Sequence, residues 1–127
     1  MKLSLSYDPT LDAWTFTHED CHLRTLGDVR QWEERARALL EQIPIGGVLL
    51  VDIEGFSLAP EMGPEWAALL KTLVLPRIGV LLRYGHCERA TESAIQIQGL
   101  VNRIPAGILP DRSAALTALM RLRARPA

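Results

Sequence analysis

Apolar and polar positions alternate from the first residues onward. Leu3, Leu5 and Tyr7 are separated by Ser4 and Ser6, the two-residue period of a half-buried strand, and Asp8-Pro9-Thr10-Leu11-Asp12 then supplies turn residues. A second strand over residues 13–17 (Ala13-Trp14-Thr15-Phe16-Thr17) is expected to return as its hairpin partner. The polar run His18-Glu19-Asp20-Cys21-His22 reads as a connector. Beyond it the period changes: Val29, Trp32, Ala36, Leu39, Leu40 and Ile43 recur at steps of three and four. This predicts a helix capped by Asp28, ended by Pro44, with Glu33, Glu34, Arg37 and Glu41 outward.

Gly46-Gly47 leads into Val48-Leu49-Leu50-Val51-Asp52-Ile53, a short apolar run rich in branched residues, as expected of a central strand covered on both faces. Pro64 stands in the first turn of the next predicted helix, with Trp66, Leu69, Leu70 and Leu73 on its apolar face. Residues 78–84 (Ile78-Gly79-Val80-Leu81-Leu82-Arg83-Tyr84) predict another buried strand, closed by Gly85-His86. A third helix is expected to turn Cys87, Ala90, Ala94, Ile97 and Val101 inward. Residues 104–110 contain a short last strand, and Asp111 caps a final helix with Ala115, Leu116, Leu119, Met120 and Leu122 inward. Arg121, Arg123 and Arg125 crowd the end of that helix, where cations offset the negative pole of its dipole. The order β-β-α-β-α-β-α-β-α predicts an α/β domain over residues 1–127. It has a mixed, mainly parallel sheet, an N-terminal β-hairpin and about four helices.

Composition narrows the functional classes. With 127 residues, 48% of them hydrophobic, the chain can bury a core without staples. A formal net charge of −1 offers no broad positive face for nucleic acid or anionic lipid. Its apolar stretches are broken well before the roughly 20 residues of a membrane span, and the first residues lack the pattern of a secretory signal. Cys21 and Cys87 form no CxxC pair and read as reduced thiols. A cytoplasmic protein without membrane insertion is the expectation.

Catalysis needs convergent titratable groups, and no set of nucleophile, base and metal ligands stands out. His18, Cys21, His22, His86 and Cys87 are soft zinc ligands by type, yet their spacing matches no zinc motif, and a solvated connector explains the first three. Cys87 at a helix N-terminus invites a lowered thiol pKa, while its place on an apolar face argues for an inert buried thiol. Asp52 and Glu54 straddle a strand end where crevices form, but Asp52 accepting backbone hydrogen bonds accounts for them. No cofactor is expected, and the chain reads as a non-enzyme.

The central strand Val51-Asp52-Ile53-Glu54-Gly55-Phe56, the helix-opening Gly63 reached without a gap, and the segment Pro110-Asp111-Arg112-Ser113-Ala114-Ala115-Leu116 together resemble the STAS domain family of anti-sigma factor antagonists and SpoIIAA-like proteins. The resemblance covers nearly the whole chain. It implies a non-catalytic regulatory module for protein–protein interaction, with a partner surface at Ser57, Leu58, Pro60, Glu61, Met62, Gly63 and Pro64. The partner it implies is an anti-sigma factor-like protein, a transporter subunit or a second copy of the chain. Where regulated antagonists carry the phosphorylated Ser or Thr, this chain has Pro60-Glu61-Met62; Ser57 is the nearest hydroxyl. Glu61 supplies negative charge there, as a permanent phosphate mimic or simply as an acid favoured in a first helical turn. The alternative reading is a module that binds a lipid or small apolar ligand, or a soluble partner of a lipid-transport ABC permease. Trp14, Trp32 and Trp66 are then the candidate pocket walls, or else plain core.

Overall fold

The computed structural model describes residues 1–125; residues 126–127 of the expected 1–127 domain lie outside them. Strands β1 (Lys2–Asp8) and β2 (Ala13–Glu19) form the expected antiparallel hairpin. Its turn is held by the Asp8 carboxylate, which accepts from the backbone N–H of Thr10 at 2.9 Å and of Leu11 at 3.2 Å. β3 (Cys21–Leu23), helix α1 (Leu26–Leu40), β4 (Gly47–Asp52) and β5 (Phe56–Leu58) follow. Next come a 3₁₀ turn (Pro60–Met62), α2 (Gly63–Leu69), a π-helical turn (Leu70–Val74) and β6 (Ile78–Tyr84). α3 (Arg89–Asn102), β7 (Ile108–Leu109) and α4 (Arg112–Ala124) complete the order. The architecture is α/β with four helices and a five-stranded mixed sheet in the order β1-β2-β4-β6-β7, parallel at every pairing after the hairpin. No helix among the described residues is long and apolar enough to cross a membrane.

Strand alternation gives the sheet two unlike faces. Phe16 and Leu49, with Val51 and Leu81 partly buried beside them, look toward α1, α2 and α3 and form the larger core with Trp32, Trp66 and Ile95. Ala13, Leu50 and Tyr84 look the other way, onto Ala115 and Leu119 of α4. Three helices cover one side and one covers the other.

Several local expectations are corrected. Thr25 caps α1, not Asp28: Thr25 Oγ1 accepts from the Asp28 N–H at 3.2 Å, while the Asp28 carboxylate accepts from the N–H groups of Thr25 and Arg24. This is a reciprocal capping box in which an Asp takes the part usually played by Glu or Gln. The connector over residues 18–22 continues β2 and then forms β3, which pairs in parallel with β5 as a separate ribbon. Each ribbon strand is only three residues long, too short for a two-residue period to register.

α3 is rotated from its expected face. Thr91, Ala94, Ile95 and Gln98 are buried, whereas Ala90, Ile97 and Val101 are exposed and Cys87 precedes the helix. Two polar residues go inward because they have work there. Thr91 Oγ1 accepts from the Leu58 N–H at 3.1 Å, and Gln98 packs against Gly63. In α4, Ala115 and Leu119 face the sheet, but Met120 and Leu122 are exposed, since a single helix on that face buries only a narrow stripe. Asp111 caps α4 as expected, accepting from the Ala114 N–H at 2.8 Å. Arg123 reaches back to donate to the carbonyls of Leu11 and Asp12 in the hairpin turn.

Candidate functional site

The segment between β4 and α2 is shaped by two glycines. Asp52 Oδ1 accepts from the Glu54 N–H at 3.0 Å, turning the chain out of the sheet. Gly55 has φ of 78°, and a Cβ there would stand 2.7 Å from the His18 carbonyl oxygen. Gly63 has ordinary helical angles, and what it supplies is space, because a Cβ there would lie 2.8 Å from Gln98 Nε2.

Of the seven residues of the expected partner surface, the structure puts Pro60, Glu61 and Pro64 outside and leaves Ser57 and Met62 half-buried. Leu58, 2% exposed, and Gly63 lie inside. Leu58 is therefore core rather than contact surface: β5 must bury alternate residues, Phe56 and Leu58, beneath α3. Met62 packs on the edge of the same core.

Ser57 and His22 are cross-strand partners in the β3–β5 ribbon, and the Ser57 hydroxyl lies 2.7 Å from His22 Nδ1. His22 Nε2 is in turn 2.9 Å from Asp20 Oδ1. Register brings Ser57 to His22, and Asp20 stands two residues before His22 in the chain. The order acid–imidazole–hydroxyl is that of an activated serine, but such chemistry also needs a cleft and oxyanion donors beside the hydroxyl. Asp20 is exposed, and none of the three lines the apolar cavity inside the domain.

The remaining titratable groups are spread out. Among the described residues no three His, Cys, Asp or Glu side chains are placed to hold a metal ion. His18 Nδ1 lies 2.9 Å from the Asp52 carbonyl oxygen, to which it donates, and burial holds this imidazole below its usual pKa. Burial pushes the Cys21 thiol up to about 12. The Cys87 thiol is also raised, by burial and then by Glu92 and Glu88, so neither cysteine is a thiolate at neutral pH.

Two further features stand out, one on the surface and one inside. On α3, Ile97, Leu100 and Val101 are 53%, 85% and 72% exposed, an apolar stripe on the same helix that holds Leu58 and Gly63 from behind. Between the sheet and α1–α3 lies a cavity of about 40 Å³, walled by Phe16, Val51, Trp32, Trp66 and other apolar groups. Trp32 and Trp66 line it as the pocket reading expects, while Trp14 does not and packs instead on Tyr7, with ring centres 4.8 Å apart. Its polar lining comes from His18 and Arg83.

Arg83 is 4% exposed, with its guanidinium 5.4 Å from the Trp66 ring centre and one N–H donated to the Pro105 carbonyl. Burial lowers its pKa to about 10, leaving a cation at neutral pH, and among the described residues it has no ion-pair partner. Trp32 Nε1–H is buried without an acceptor. The charge in β6 is visible in the sequence, but only the fold shows that it points into the interior.

These features define a small α/β protein with an apolar interior cavity and an apolar helix surface. Compared with family models and with curated proteins, the chain matches none.

Proposed function

We propose that the chain is a non-catalytic regulatory module, STAS-like in the sense its motifs imply, that docks a partner protein through the exposed turn at Pro60, Glu61 and Pro64 and the outer stripe of α3. The exposure of Ile97, Leu100 and Val101 carries this reading. Large apolar side chains grouped on one helix and left in water mark interaction surfaces more often than they occur by chance. The motif supplies no hydroxyl at the turn, and the Ser57 hydroxyl is engaged with His22, so docking proceeds without a phosphate switch at residues 60–62.

Photo-crosslinking in producing cells tests it, with the crosslinker at Glu61 or Leu100 and, as a control, at Arg30 on the exposed side of α1. One recurrent protein adduct is expected from Glu61 and Leu100 but not from Arg30, and a charge placed in the α3 stripe by Ile97→Glu should abolish it. Scattered adducts of equal yield at all three positions would overturn the reading. The apolar-ligand reading is favoured by a separate observation, the apolar interior cavity lined by Arg83, a buried cation without an ion-pair partner among the described residues.

A further inference from the structure

We infer that the interior cavity is a binding site for a small apolar acid, whose hydrocarbon part packs among Phe16, Val51 and Trp66 and whose carboxylate accepts from the Arg83 guanidinium. This deepens the apolar-ligand reading and rests on it.

Two observations converge. The cavity walls are almost wholly apolar, so what fills them must be largely hydrocarbon. A buried cation without a counter-charge is among the costliest arrangements in a protein interior, and Arg83 is one, softened only by a carbonyl and an aromatic face. Ordered water in the cavity would leave that charge unbalanced. A neutral amphiphile would do the same. A carboxylate balances it, and its planar pair of oxygens suits the guanidinium fork.

Size selects the ligand further. The cavity accommodates roughly three water-sized groups before any wall moves, which limits the acid to a short chain. One wall is the π-helical turn Leu70–Val74, whose Leu70 and Val74 line the cavity. π-helical turns are frequent at functional sites.

The test is a titration of the ¹⁵N-labelled full chain with butanoate and hexanoate, and with 1-butanol and 1-hexanol, following the assigned Trp32 indole resonance and the melting temperature. The acids are expected to move the indole resonance saturably and raise the melting temperature, with at least tenfold higher affinity than the matching alcohols. Arg83→Met should erase that preference while Arg83→Lys, which retains the charge, keeps most of it. Equal affinity for acid and alcohol would overturn the carboxylate assignment and leave the apolar-ligand reading standing. Failure of all four compounds to produce a saturable shift would remove both.

Discussion

His18 shows how much one side chain can depend on its surroundings. It stacks against Phe16 and Phe56, with ring centres 5.1 and 4.9 Å away, and gives its Nδ1 proton to the Asp52 carbonyl. In the unfolded chain this imidazole titrates near 6.5. In the folded protein burial sets its pKa lower, so the native state binds fewer protons. Stability is then unaffected above the unfolded value and is lost as pH falls through and below it. Thermal melts between pH 7.5 and 5 should show a decline that is shallower in His18→Gln, whose amide can still donate to Asp52; parallel declines would refute the assignment. In the sequence His18 reads as one of several solvated connector residues. Its polar neighbours Glu19 and Asp20 conceal that β2 runs on to Glu19 and carries His18 over the core. Arg83 is hidden in the opposite way, as a charged residue inside an apolar run.

Elements with a long, regular period are legible, and short or single-sided ones are not. α1 repeats its apolar stripe over four turns, so Val29, Trp32, Ala36 and Leu40 fall inward as the spacing demands. β4 and β6, covered on both sides, announce themselves as continuous apolar runs. α3 misleads because Ala94 and Ile95 share its buried face with Thr91 and Gln98 while Ile97, Leu100 and Val101 lie outside, and the difference lies in what Thr91 and Gln98 meet there. α4 misleads by excess, carrying more apolar residues than its contact with the sheet can cover. The distinction is measurable: Leu119→Ala, at a site 0% exposed, should cost about 2–5 kcal/mol in chemical denaturation. Leu122→Ala, at 37% exposure, should stay within about 0.5 kcal/mol of wild type. A connector does run between β4 and α2, yet alternation in β5 decides which of its residues can be touched, and that requires the β3 partner to be seen.

At the scale of the whole molecule, the two faces of the sheet are unequally protected. α1, α2 and α3 share one face, so loss of a contact there can be met by neighbours. α4 alone covers Ala13, Leu50 and Tyr84, with Arg112 Nη1 3.1 Å from both Thr15 Oγ1 and Tyr84 Oη. A chain shortened to residues 1–110 should therefore bind 1-anilinonaphthalene-8-sulfonate and elute as aggregates, whereas one shortened to 1–124 should do neither; a monodisperse, dye-silent 1–110 chain would contradict the role given to α4. The same geometry has a consequence for biosynthesis. Every strand leaves the ribosome before α4 does, so one flank of the nascent sheet stays greasy and open until that helix emerges. Arg123 then fastens it to the hairpin turn that was made first, so the last helix to emerge is tied to the first turn of the sheet.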